Sequence, residues 1–260
     1  MRCVLLMNIV FTSCGNDSVA LLQWAIENNL NDLVAAYSDT KWSSPEWGER
    51  VARVKAWVES NCGTFITIDS EGFASLVKRK MAFPTNGMGF CSYELKIKPA
   101  MEWLEQFDPE KRAVCYTGVM RIESERRKTW PEVLESSPNH GGRKLVSPLA
   151  TFTELQRNDL LERAGFEVLP HRSMECSPCI NATIKDIQQV GEQDLIKVVN
   201  LETEMGIGKR SGKPKFMFRP AKVHGAQGFA QVKEWANKGG GDYAPDQEDL
   251  FGCESGFCGS

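Results

Sequence analysis

Six consecutive small or polar residues, Ser13-Cys14-Gly15-Asn16-Asp17-Ser18, separate an apolar run from a helix-compatible segment. A helix N-terminus carries unpaired N–H groups and partial positive charge, which suits a phosphate. Glycine lets the backbone approach an anion closely, and serine hydroxyls donate further hydrogen bonds. The stretch therefore reads either as a phosphate cradle or as an ordinary Asx or Ser cap on a tight turn. Asp17 caps the helix in one reading and positions a metal in the other. Asp39 suits a ribose hydroxyl, Mg²⁺ between phosphates, or a plain turn. Arg121 and Arg127 offer guanidinium forks that match phosphate oxygens and keep their charge. The rival reading is a solvated basic turn, since Arg126 and Lys128 adjoin.

The chain holds nine cysteines, many for 260 residues. In a reducing compartment disulfides are the weaker explanation. Cys3, Cys14, Cys62 and Cys115 sit singly in apolar or turn contexts, as small hydrophobes do. Cys176 and Cys179 share a two-residue gap, Cys253 and Cys258 flank Glu-Ser-Gly-Phe, and Cys91 stands in Gly-Phe-Cys-Ser-Tyr. Cys91, Cys176 and Cys179 with a fourth thiolate from Cys258, or Cys253 as second choice, would complete a four-thiolate site. Iron–sulfur clusters and structural zinc both use such a set. His140, His171 and His224 have no partner at metal spacing and are expected in loops or at the surface, His171 lining the site beside the cysteine pair. Residues 209–222 carry six cations, no acid, and the interleaved Phe216 and Phe218. That pattern suits a nucleic-acid backbone with bases against the rings, or a solvated basic loop pinned by two apolar side chains.

These residues need a scaffold, and the apolar pattern supplies one. Strand-like runs at 3–12, 32–37, 64–68, 113–116 and 144–146 alternate with helical ones at 18–29, 71–80, 91–107 and 153–164. A further helix is expected from Ser44-Pro45-Glu46, serine as its cap, with Trp47, Val51, Val54 and Val58 as its stripe. Such alternation predicts an α/β fold with a Rossmann-like, mainly parallel sheet covered on both faces. Helices are expected over 181–204 and 227–237. This divides the chain into a nucleotide-binding α/β domain at 1–170 and a cysteine-bearing, mostly helical region at 171–260. The net charge of −3 argues against coating nucleic acid through bulk charge, though not against a local basic groove. No apolar run approaches membrane-span length, and the first residues lack a signal cleavage site, so a cytoplasmic location is expected.

Ser13–Ser18 resembles the SGGKDS loop of the adenine-nucleotide alpha-hydrolase superfamily, with Cys14 for a glycine and Asn16 for the lysine. Five further segments resemble its PAPS-reductase branch, in order. They are Tyr37-Ser38-Asp39-Thr40-Lys41, the run from Cys91 to Pro99 (Ser92 for a second cysteine), and the run from Thr117 to Arg127 (Met120 for an arginine). Pro148 to Thr153 and Glu175 to Ile180 complete the set. The resemblance implies ATP and Mg²⁺ as ligands, with Ser13, Gly15, Asn16, Asp17, Ser18, Asp39, Gly118, Arg121 and Ser124 binding the nucleotide. Asp17, Ser18, Arg121 and Arg127 would serve the chemistry. It also favours a [4Fe–4S] cluster over zinc on the cysteines. The terminal segment lacks the E-C-G-L/I-H ending of sulfonucleotide reductases, and the loop keeps its serine and aspartate. An AMP-forming ATP pyrophosphatase is therefore expected ahead of a PAPS or adenylylsulfate reductase, or a non-catalytic nucleotide- or cluster-binding subunit. The chain is most similar to the adenylating component of DNA phosphorothioation systems, which implies DNA as acceptor and a cysteine desulfurase as sulfur donor. Homo-oligomerisation stays open.

Overall fold

The computed structural model describes residues 7–30, 32–85, 88–209, 211–218 and 226–239. Cys3, Cys253, Cys258 and His224 lie outside them, as do Arg210, Arg219 and Lys222 of the basic stretch. Strands β1 (Asn8–Thr12), β2 (Leu33–Ser38), β3 (Gly63–Ile68), β4 (Val114–Tyr116), β5 (Val133–Ser137) and β6 (Arg143–Val146) make one sheet in the order β3-β2-β1-β4-β6-β5. Every neighbouring pair is parallel except β5 with β6. The fold is the Rossmann-like α/β architecture that the strand–helix alternation implies. Strand β5 is new, and three of its five residues are exposed. It has no apolar face to announce it.

Residues of β1 and β2 are buried throughout, because helices cover the sheet on both sides. Helices α1 (Asn16–Glu27), α2 (Trp47–Asn61), α3 (Phe73–Lys80), α4 (Phe90–Ser92), α5 (Lys98–Phe107), α6 (Glu154–Arg163), α7 (Ile184–Gln189), α8 (Glu192–Met205) and α9 (Phe229–Asn237) follow in chain order. On one face α1, α2 and α6 bring Leu21, Leu22, Val54, Val58 and Leu160 against Val10, Ala35 and Tyr116. On the other, Ala100 and Leu104 of α5 pack on Ile9, Phe11, Ala36 and Cys115. A third cluster joins Phe73, Leu76 and Val77 of α3 to Ile187, Val198, Leu201, Phe229 and Val232 of α7, α8 and α9. The helices beyond residue 170 thus share an apolar core with α3. Among the described residues no helix is long and apolar enough to cross a membrane.

Local chemistry explains where element ends differ from the periodicity. Helix α2 starts at Trp47 rather than on a Ser44 cap, with Trp47 N donating to Ser44 O at 3.1 Å. Ser44 is drawn away, its N–H to Met174 O and its hydroxyl to the Met174 sulfur. The helix expected over 91–107 is interrupted by a π-helical turn at Tyr93–Ile97, just before Pro99. Proline has no N–H to continue the i→i−4 ladder, and a widened turn is the usual response. The helix expected over 181–204 is two, α7 with a Thr183–Asp186 capping box and α8 behind Gly191. The helix expected over 153–164 is α6, with Thr153 as its cap rather than its first residue and Gly165 closing it at φ +74°.

Strand order places the site. From β1 the chain steps outward to β2 and β3, then returns to put β4 on the other side of β1. The loops after β1 and β4 leave the same carboxyl edge where the order reverses, the place where open parallel sheets bind ligands.

At the opposite, amino end of β4 and β6 lies a buried polar knot. Arg143, fully buried, donates to the Asp108 carboxylate at 2.7 Å, to Leu104 O at 2.9 Å and to His140 O at 3.2 Å. His140 stands in a connecting turn, one of the two positions expected for it, but it is buried rather than at the surface. Its ring packs 5.1 Å from Phe11, and its Nδ1 pairs with Ser137 Oγ at 2.8 Å. Burial, with the charge of Arg143, pushes this imidazole down to about 3. A folded pKa below the unfolded value gives stability that is complete above about 6.5 and is lost as pH falls toward 3. Urea unfolding should show stability falling below pH 6.5 at a slope approaching about 1.4 kcal/mol per pH unit from this group. In His140→Gln the loss between pH 6.5 and 5 should flatten. An unchanged slope would exclude His140 as its source.

Candidate functional site

The first loop leaves β1 through Cys14, whose φ of +62° is left-handed. Two bonds hold it there: Cys14 N donates to Thr12 Oγ1 at 3.0 Å, and Arg50 Nε donates to Cys14 O at 2.7 Å. Gly15 then caps α1 in extended conformation, with no side-chain cap hydrogen bond. The first-turn N–H groups of a helix have no intrahelical acceptor. Ser13 and Ser18 face each other at 3.3 Å between hydroxyls, and Ser18 Oγ also lies 3.2 Å from Gly15 O. The side chain of Asn16 is committed elsewhere. Its amide donates to Leu169 O at 3.0 Å and accepts from Leu169 N at 2.9 Å, clamping the segment after α6.

The loop after β4 rests on this turn. A Cβ at Gly118 would stand 2.9 Å from Asp17 O, so only glycine lets the two backbones meet this closely. Arg121 donates to Trp130 O at 2.9 Å and reaches Glu132 at 3.5 Å. Arg127 pairs with Glu123, and Ser124 O accepts from Arg127 N at 3.0 Å. Burial and the Asp17 charge lift Glu123 to about 7 against the pull of Arg127. Asp39 stands past the end of β2, where its carboxylate accepts from Lys41 N at 2.8 Å. One cation was not foreseen: Arg157 of α6 donates to Asp17 Oδ1 at 3.1 Å. The two residues lie 140 positions apart and no local motif marks Arg157, so only the packing of α6 beside α1 reveals it.

The cysteine segment runs alongside. Cys176 forms a parallel bridge with Trp42, and Ser177 N donates to Trp42 O at 2.8 Å. Cys91, Cys176 and Cys179 are free thiols near enough to feel one another. Burial lifts Cys91 to about 12 with a contribution from Cys179, and burial followed by both neighbours lifts Cys176 well above its ordinary value. A cation among them would reverse that repulsion. Among the described residues, however, no three of His, Cys, Asp and Glu close into a metal-holding group. A ligand from outside those residues, such as Cys258, would have to complete one. Beneath the thiols Lys96 donates to Glu175 at 2.5 Å, and both are buried. The Glu175 charge also reaches Tyr37 and Cys14, so the thiol group and the turn at 13–18 share one field. The two regions touch directly, since a Cβ at Gly15 would stand 3.0 Å from Ser173 Cβ. His171, Ser173, Cys176 and Cys179 line a cavity of about 250 Å³.

In the basic stretch Phe218 stacks on Phe229 at 5.0 Å and Phe216 lies against Gly228. Buried Glu202 fixes this arrangement by accepting from Met217 N and Phe229 N, each at 2.9 Å. Of the two sequence readings, the rings follow the one in which apolar side chains pin the loop. Lys209 and Lys213 remain exposed.

No family model matches the chain. No curated protein matches it either. Among solved structures it is similar to the crystal structure of phosphoadenylyl-sulfate (PAPS) reductase from Candida auris in its phosphate complex. The TM-score is 0.44 at 12% identity, over 64% of this chain and 76% of that one.

The Lys96–Glu175 pair generates a stability test. Lys96→Met leaves a buried carboxylate without its partner and should cost about 3–5 kcal/mol in urea unfolding. The double variant Lys96→Met/Glu175→Leu should recover most of that loss. If it stays as unstable as the single variant, the cost arises from packing rather than from the orphaned charge.

Proposed function

We propose that this protein is an AMP-forming ATP pyrophosphatase that adenylates an acceptor oxygen for replacement by sulfur. The observation that carries this reading is the seating of Gly118 against the first turn of α1. It brings Ser13 and Ser18, the helix N-terminus, and the arginine-bearing loop of Arg121 and Arg127 to one edge of the sheet. Hydroxyls, backbone N–H groups and guanidinium forks along one edge suit a triphosphate. An acceptor oxygen attacks the α-phosphorus, the bond to the β-phosphate breaks, and pyrophosphate leaves. Displacement of the adenylated oxygen by a sulfur nucleophile then releases AMP. The residues contribute by holding the reactants in line and by placing donors where negative charge develops. Asp17 and Asp39 are the carboxylates that would hold Mg²⁺, which neutralises phosphate charge.

The sequence resemblance supports DNA as acceptor, with the exposed Lys209 and Lys213 as candidate backbone contacts, and a cysteine desulfurase as sulfur source. It likewise supports a [4Fe–4S] cluster on Cys91, Cys176, Cys179 and Cys258, whose role here would be to fasten the cysteine turn to α4.

Incubation with ATP, Mg²⁺, DNA and sulfide as the sulfur nucleophile should yield AMP and pyrophosphate in equal amounts. Asp17→Ala or Ser18→Ala should lower that rate by about a hundred-fold or more, by analogy with loss of a transition-state donor. PAPS with thioredoxin should yield no sulfite. Sulfite production would replace this reading with the reductase one. Unchanged pyrophosphate release from either variant would remove the loop from the chemistry.

Purified without oxygen, the full chain should carry about four irons, by the stoichiometry of such a cluster. Serine at Cys91, Cys176 or Cys179 should abolish the colour, and serine at Cys115 should not. Colourless protein holding one zinc would refute the cluster in favour of a structural zinc site.

A further inference from the structure

We infer that Arg157 is the cation that meets the pyrophosphate end of the nucleotide, held ready by Asp17. This rests on the nucleotide reading above. Residues 13–18 contain one anion and no cation, so the loop cannot itself offset a polyphosphate. Arg127 is committed to Glu123, and Arg121 reaches out to Trp130 O and Glu132. Arg50 also touches the turn, but its Nε is spent on the backbone carbonyl of Cys14 ahead of the helix. Arg157 reaches the first turn of α1 itself, through Nη1 to Asp17 Oδ1 at 3.1 Å. Both partners are largely enclosed, their side chains 15% and 5% exposed.

The geometry is that of a held but exchangeable group. Asn158 Oδ1 accepts from Arg157 Nε at 3.1 Å and from Nη2 at 2.9 Å, which fixes the plane of the fork. Nη1 is thereby aimed at the N-terminus of α1. Three of five N–H groups are engaged, and two remain for ligand oxygens. The contact to Asp17 is single-pronged, whereas a phosphate can take a guanidinium in bidentate fashion. A polyphosphate entering the cradle takes Arg157 from Asp17, and the freed carboxylate turns to the cation that accompanies the nucleotide.

Calorimetric titration of the full chain with ATP, pyrophosphate and AMP, in Mg²⁺, tests this. Arg157→Met should weaken ATP and pyrophosphate about ten-fold or more, the scale of one charged hydrogen bond, and AMP less than about two-fold. Arg157→Lys should recover part of the loss, since it restores charge without the fork. If Arg157→Met weakens all three ligands alike, or Arg157→Lys recovers nothing while both melt like the wild type, the residue only shapes the loop and the inference falls. Wild-type affinities in Arg157→Met overturn it and leave the nucleotide reading standing. A wild-type chain that binds neither ATP nor pyrophosphate overturns both.

Discussion

Strand β1 bonds to β2 on one side and to β4 on the other, both parallel. The site depends on this double pairing. Chains that run parallel on either flank of one strand must send their following loops to the same edge, however far apart they lie in sequence. The turn at 13–18 and the loop after Tyr116 are thus forced together. Gly118 converts nearness into contact, because backbone meets backbone with no side chain between them.

Much of this was legible in the chain. Apolar runs over β1 and β2 and the stripe of Val51, Val54 and Val58 marked buried strands and a covering helix, because burial on two faces leaves continuous or helical apolar patterns. Thr153 and Gly165 marked the ends of α6. Strand β5 was invisible because its residues are mostly exposed and antiparallel pairing at an edge asks little of composition. The π-helical turn was invisible because Leu95 and Ile97 fit an unbroken helix equally well. His140 was expected to be solvated because it lies in a short turn bounded by proline and glycines, and its burial depends on tertiary partners such as Phe11 from a distant strand.

Within the site, residues of the two loops could be named from their types and spacing, but their engagements could not. Asn16 stands in the turn at 13–18, yet its side chain serves the backbone of Leu169. Phe216 and Phe218 stand among cations, yet they pack inward on α9 and its glycine. In each case a residue type permits both a ligand role and a packing role, and a partner far along the chain decides. Arg157 is the converse, a cation inside an unremarkable helix that gains meaning only from what α6 lies beside.

The clamp from Asn16 to Leu169 has a thermodynamic corollary. The bonds run from the first turn of α1 to the stretch leading into Ser173 and Cys176, and Gly15 rests on Ser173. The edge at residues 13–18 and the thiol edge are therefore mechanically joined. Were an occupant of the thiols to shift this stretch and alter affinity at the turn by some factor, an occupant of the turn would alter affinity at the thiols by the same factor.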